Sequence, residues 1–415
     1  MATTRLKPGK LAEVRSVLTN RRFAAYTWCN FISMVGVWGQ RLAVGWLTWQ
    51  LTQSEAWIGV IAFADLVPVV LVGPLAGVWV DRPLRKLLMR WCQALMLVQA
   101  LVLFTLSVLG SINIWLLFAL VLFNGVVAAI YHPVRLSVVP SLVKPEDLMA
   151  AVSLTAVTFN LARFAGPALA GVVIAFYGFA ATFLAVALAY TIMLFAAFLI
   201  DIPSRPWLAG QQTCSVWSEL RDGVEYAVSN RAIAYVLAIQ AVLALCVRPL
   251  GELLPAFVGA IFSEGPGMLA VMTSAMGVGA VMAGLRLLLW EVSRGLANII
   301  ILSTALSAVA VILFSLTPII WLAVVIIFFV AYWVAVCGIA SQTLIQSCVD
   351  ETKRGRVISL WAAIYRGVPG IGALLIGALA GVFGLIWPSI LAATLCAIVA
   401  AWMYRRRSIL DPVTP

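Results

Sequence analysis

The feature that most constrains this chain is the repeated alternation of long apolar stretches with short polar breaks. Twelve windows, each about 20 residues or longer and so able to cross a bilayer as a helix, fall at 23–50, 57–80, 88–109, 114–134, 148–175, 180–200, 232–261, 268–285, 297–315, 320–345, 357–381 and 386–404. Composition agrees, with 64% of the 415 residues hydrophobic and 10% charged. A soluble domain carries about 25% charged residues, so a secreted enzyme, a disordered protein and a nucleic-acid binder are excluded. The net charge of +11 comes from basic residues flanking the apolar windows, not from a polyanion-binding patch.

The placement of Lys and Arg orients the helices. Segments 1–22, 81–90, 135–147, 201–231, 286–295, 346–357 and 403–415 hold 23 of the 27 basic residues. The connectors between them (51–56, 110–113, 176–179, 262–267, 316–319 and 382–385) hold none. Every basic segment therefore lies on one side, and the expectation is an all-α protein of twelve transmembrane helices with both termini cytoplasmic. No cleavable signal peptide is expected, because 1–22 is basic and polar without an apolar core of its own.

Cysteine and histidine carry little chemistry here. The seven cysteines (Cys29, Cys92, Cys214, Cys246, Cys337, Cys348 and Cys396) show no CxxC spacing and mostly sit in apolar stretches, as buried free thiols do. One histidine, His132, rules out a His-rich metal site, and no cofactor or metal is expected. His132 reads as a packed or interfacial imidazole. Trp46, Trp49 and Trp57 read as interfacial anchors.

The longest polar break, 201–231, contains Trp217, Leu220, Val224 and Val228 at helical spacing, with Glu219, Arg221, Asp222 and Glu225 on other faces. This pattern predicts an amphipathic surface helix tethering two halves. An internal repeat supports two halves. Ser141-Leu-Val143 recurs as Ser347-Cys-Val349, Gly166 and Gly171 recur as Gly372 and Gly377, and Arg41 maps to Arg248, all at offsets of 206 or 207. The expected organisation is an N-terminal segment 1–22, a six-helix bundle 23–200, a linker 201–231, a second bundle 232–404 and a tail 405–415. A parallel repeat of this kind places a binding site between the halves near the midplane.

Two motifs carry a resemblance. The run Gly73-Pro-Leu-Ala-Gly77-Val-Trp-Val-Asp81-Arg82-Pro-Leu84-Arg85-Lys86 resembles motif A of the major facilitator superfamily, with Leu84 where that motif has Gly. The resemblance implies a cytoplasmic conformational latch formed by Gly77, Asp81, Arg82, Arg85 and Lys86. A degenerate second copy lies near Gly284, Arg286, Glu291 and Arg294. The run Asn160-Leu-Ala-Arg163-Phe-Ala-Gly166-Pro167-Ala-Leu-Ala170-Gly171 is similar to motif C of the same superfamily, which is associated with antiporters. Gly166, Pro167 and Gly171 are its residues here; the competing reading is a Gly/Pro packing kink without directional meaning. Phrases such as Gly39-Gln-Arg-Leu-Ala-Val-Gly-Trp46 and Phe63-Ala-Asp-Leu-Val-Pro68 resemble the transmembrane secretion effector branch, with its enterobactin-exporter-like and macrolide-efflux-like members. That resemblance implies export driven by the proton gradient and leaves the cargo open.

Charges inside the spans mark the candidate site. A charge at mid-membrane costs about 2.5–3.5 kcal/mol on insertion scales, so it faces a partner or a wet cavity. Arg41 and Asp65 lie at matching depths on adjacent spans, which predicts an ion pair. Arg248 and Glu252, at i and i+4, share a face. Arg163 and Arg366 complete the set and leave an excess of positive charge, which favours an anionic or amphipathic cargo such as a siderophore or drug. Asp65 and Glu252 are the candidate proton carriers. The expected function is a proton-coupled exporter acting by alternating access in the inner membrane, as a monomer, with protons, a small molecule and the bilayer as partners and no nucleic acid. The alternatives are a proton-coupled nutrient importer of the same fold and a non-transporting sensor or lipid-handling protein. No HExxH, GxSxG or Walker motif is present, so an enzyme and an ATP-driven pump are not expected. If the latch biases the two access states, Asp81→Asn or Arg85→Ala should leave expression near normal and slow transport; wild-type turnover in both variants would refute it.

Overall fold

The computed structural model describes residues 17–80, 85–200, 216–289 and 295–406, with 74–80, 216–221, 288–289 and 351–352 described by backbone alone. The described elements are all helical: α1 (Arg21–Thr52), α2 (Glu55–Val80), α3 (Arg85–Val108), α4 (Ile114–Leu142), α5 (Leu148–Leu199), α6 (Val216–Ser229), α7 (Arg231–Cys246), α8 (Pro249–Ala256), α9 (Pro266–Leu289), α10 (Leu296–Leu316), α11 (Ile320–Cys348), α12 (Glu351–Phe383) and α13 (Ile386–Arg405). Helix is the outcome that bilayer chemistry dictates, because only internal hydrogen bonding satisfies the backbone in hydrocarbon.

Ten helical runs among the described residues are long and apolar enough to cross a membrane. One of them, Pro145–Leu199, spans 55 residues, on the order of 80 Å, which no single crossing accommodates. It breaks at Gly178, whose φ of 78° only glycine adopts without strain, giving arms 148–177 and 179–199. The less apolar α1 carries Asn30, Gln40 and Arg41 and supplies a further span. The twelve expected windows are thereby matched. The polar breaks also act as caps: the side chains of Asn20, Asn113 and Asn230 accept hydrogen bonds from the first backbone N–H groups of α1, α4 and α7. The expected amphipathic helix is present as α6, where Arg356 of α12 pairs with Asp222 at 2.9 Å.

Several expectations need correction. Trp46 and Trp49 are not interfacial anchors; they are 5% and 6% exposed, because α1 turns them into the protein, where Trp49 lies against Gly259. Trp57, half-buried near the start of α2, meets Trp115 edge-to-face at 4.9 Å. Arg135, assigned to a polar connector, lies inside α4, which continues to Leu142 despite Pro133 and Pro140. The thiols of Cys92, Cys246, Cys337 and Cys396 are buried, those of Cys29 and Cys348 half-buried. Cys214, Asp81, Arg82, Glu291 and Arg294 lie outside the described residues.

Glycine governs how the first six spans meet the last six. Lipid tails are as apolar as leucine, so helices associate by close packing rather than by hydrophobic exclusion. A Cβ on Gly377 would stand 2.7 Å from the Glu55 carbonyl, one on Gly370 3.0 Å from Leu66 Cβ, and one on Gly45 3.0 Å from Pro255 Cγ. Gly166 approaches α1 at Val35 and Trp38, and Gly171 meets Ala270 of α9. The motif-C glycines thus seat one helix against two partners, one in each set of six. Replacing Gly171 by Val should lower the melting temperature in detergent, consistent with an overpacking cost of about 1–3 kcal/mol. Gly267→Val, at a position open to space, should melt like the wild type. Equal melting of the two variants would show that the approach is not limiting.

Candidate functional site

The seventh span is broken where its charges lie. Pro249 and Pro255 have no N–H to donate, and the run divides into α7, the eight-residue α8 and a π-helical turn, Phe257–Ile261. Arg248 stands at the first break and Glu252 in the first turn of α8. Discontinuous helices recur at transport sites because a break re-aims side chains and frees backbone groups inside the protein.

The expected Arg41–Asp65 pair is present, with Arg41 Nε 3.1 Å from Asp65 Oδ2. Glu252 does not pair with Arg248, which corrects the reading from i,i+4 spacing. It crosses to α1, where Arg41 Nη2 donates to both of its carboxylate oxygens at 3.2 Å. A single guanidinium therefore joins an acid from the first six spans to an acid from the last six. Counting along the helices, all three residues lie on the order of 15 Å from the face opposite the chain termini. Their side chains remain 22–30% exposed, so open space borders the bridge at that depth.

The rotation of α1 that aims Arg41 inward is held by its neighbour. Gln40 Nε2 donates to Gln99 Oε1 at 2.9 Å, and the Tyr190 hydroxyl donates to Gln40 Oε1 at 3.3 Å. All three residues are at least 96% buried. Such amides lack alternative partners in an apolar interior, so they fix the helix face.

Arg248 finds another partner. Its Nη1 donates to the Tyr365 carbonyl, which is free because Pro369, four residues on, has no N–H to return. The guanidinium also lies 3.8 Å over the Tyr365 ring, which stacks on Trp361 at 4.9 Å. Across the interior, Trp38 is flanked by two cations, with Arg41 5.6 Å and Arg163 5.3 Å from its centroid. Guanidinium groups are held by aromatic faces on both sides, a weaker restraint than ion pairing. Among the described residues no carboxylate lies within ion-pairing distance of Arg163, Arg248 or Arg366.

The latch residues are only partly in view. Arg85 is buried and its Nη1 donates to the Ser137 carbonyl of α4 at 2.9 Å; Lys86 follows it in α3, and Gly77 lies in α2. The site also uses residues that sequence reasoning missed: Trp38, Gln40, Trp361 and Tyr365. Pro369 was a legible clue to a free carbonyl, although its partner was not.

A family model described as transmembrane secretion effector matches residues 14–411. The chain is 24% identical over 361 residues to the staphyloferrin A transporter of Staphylococcus aureus, covering 86% of this chain and 89% of that protein. It is 27% identical over 371 residues to the enterobactin exporter EntS of Salmonella typhi, covering 87% and 86%. Among solved structures, a mutant peptide transporter POT superposes with a TM-score of 0.76 at 12% identity, covering 97% of this chain and 99% of that one. A bacterial homologue of the human lysosomal transporter Spinster superposes at 0.71 and 12%, covering 99% of both.

The bridge makes a stability prediction. Arg41→Gln leaves two carboxylates without their shared cation in a partly buried site, which should lower stability. The triple variant Arg41→Gln/Asp65→Asn/Glu252→Gln removes all three charges and should recover much of that loss, read as melting temperature in nanodiscs. Simple additivity of the three single substitutions would contradict the bridge.

Proposed function

The chain belongs to the transmembrane secretion effector family, and we propose that it is a proton-coupled exporter of anionic or amphipathic small molecules of the siderophore kind. Family membership makes it a multi-span membrane transporter of the major facilitator type, not an enzyme. In this reading it lies in the inner membrane with both termini cytoplasmic, as the one-sided basic segments favour, and works as a monomer with two six-helix halves, 23–200 and 232–404, joined by 201–231.

The observation that carries the reading is the single guanidinium shared by Asp65 and Glu252 across the two sets of six. A proton arriving on Glu252 cancels its charge and releases the arm that ties the sets together. A proton on Asp65 frees the other side of Arg41. An anionic cargo, attracted by Arg41, Arg163 and Arg248, takes the place a carboxylate has left. Cargo and carboxylate thus compete for one cation, so cargo binding and protonation of the displaced acid are coupled. The close glycine contacts near Glu55 and Gly45 bring the two sets of six together toward the face opposite the termini, which favours loading of cargo from the other, cytoplasmic side. Similarity to siderophore transporters supports this cargo class.

Reconstituted vesicles with an imposed pH gradient test the proposal, with staphyloferrin A and enterobactin as cargo. Wild-type protein should move at least one of them against its gradient in exchange for protons. Arg41→Ala or Arg248→Ala should weaken binding of the anion, and Asp65→Asn or Glu252→Gln should uncouple flux from pH. Full gradient-driven transport by both carboxamide variants would overturn the coupling scheme. Tight binding of tetraphenylphosphonium with none of anions would overturn the cargo class.

A further inference from the structure

Beyond the central bridge, the interior holds a second cationic group. Arg135 of α4 is 95% buried, yet its Nε and Nη1 have no hydrogen-bond partner. Its guanidinium lies 5.4 Å from the Phe159 centroid, a contact that leaves its in-plane N–H groups free. His132, one turn earlier on α4, lies within electrostatic reach of both Arg135 and Arg366 of α12, and the two arginines reach each other. Among the described residues no carboxylate pairs with either arginine. Counting from the ends of α4 and α12, the three residues share a depth on the order of 25–30 Å from the face opposite the termini. They therefore lie toward the terminal face, roughly 10 Å beyond the bridge.

Two guanidinium groups within electrostatic reach across the two sets of six, with no ion-paired carboxylate among the described residues, repel in a medium of low dielectric constant. A buried arginine with open N–H groups, as Arg135 is, is satisfied by a charge of opposite sign, and the planar forks of Arg135 and of the half-buried Arg366 each match two oxygens of a carboxylate or phosphate. We propose that His132, Arg135 and Arg366 form an oxyanion site at the terminal-face end of the interior, where one bound oxyanion bridges the first six spans to the last six. The proposal rests on the transport reading for its role: an oxyanion seated here draws α4 and α12 together and closes the cargo's entry path. The chemistry fits a carboxylate-bearing cargo, free phosphate and the headgroup of an anionic lipid.

Binding, rather than transport, tests the site, so the inference and the transport reading can fail separately. Full-length protein in nanodiscs of neutral phosphatidylcholine is titrated with tricarballylate, its triamide and inorganic phosphate, following melting temperature and the spin-label distance between the terminal-face ends of α4 and α12. The expected result is stabilisation by tricarballylate or phosphate and none by the triamide, with a shortened distance. Affinity should fall about tenfold in Arg366→Gln, the loss of one charged hydrogen-bonding partner, and recover in part in Arg366→Lys. Arg135→Lys guards against misfolding of Arg135→Gln and should also bind more weakly. If discs containing phosphatidylglycerol stabilise the wild type and abolish its response to tricarballylate, and the variants lose both effects, the site stands with lipid as its ligand. An equal response to triamide and acid would overturn the proposal, as would unchanged affinity in Arg366→Gln and Arg135→Lys.

Discussion

One cation holding two anions at mid-membrane is the constraint on which the rest depends. At the bridge a guanidinium without counter-charge would be costly, and so would either carboxylate. Arg41 satisfies all three requirements at once, but only while α1, α2 and α8 stand in register. Gln40, Gln99 and Tyr190 set the rotation of α1. The breaks at Pro249 and Pro255 set the direction of Glu252.

The small residues serve the same end. Gly45, Gly166, Gly171, Gly370 and Gly377 let helix backbones approach closely enough to bring charges on different helices within hydrogen-bonding distance. Proline supplies the complementary device. Each proline within a helix frees a carbonyl one turn earlier, and in a bilayer that carbonyl needs a donor. Pro369 and Arg248 meet that need through Tyr365. An arginine is thereby held in the interior without consuming an acid, and the interior retains its positive excess.

Aromatic rings restrain four of the interior arginines. Trp38 serves Arg41 and Arg163, Tyr365 serves Arg248, and Phe159 serves Arg135. A ring face restrains a guanidinium while leaving its in-plane donors available. The acids cluster at one depth, and the unpaired cations extend from there toward the face bearing the termini.

The sequence by itself determined the class of architecture, because twelve apolar windows in a bilayer leave helices as the only solution, and the spacing of Lys and Arg argues for their orientation. It also marked Arg41, Asp65, Arg163, Arg248, Glu252 and Arg366, since a charge in an apolar run stands out wherever it lies. It paired Arg41 with Asp65 correctly because helical depth on neighbouring antiparallel spans is a local count. Tertiary structure alone decided that Glu252 reaches Arg41 across 211 positions instead of Arg248 four residues away. The reason is that spacing fixes which residues can share a face, while a proline break and the packing of a distant helix fix where that face points. The same distinction hid Arg135, which looked like one basic residue among others until α4 carried it inside.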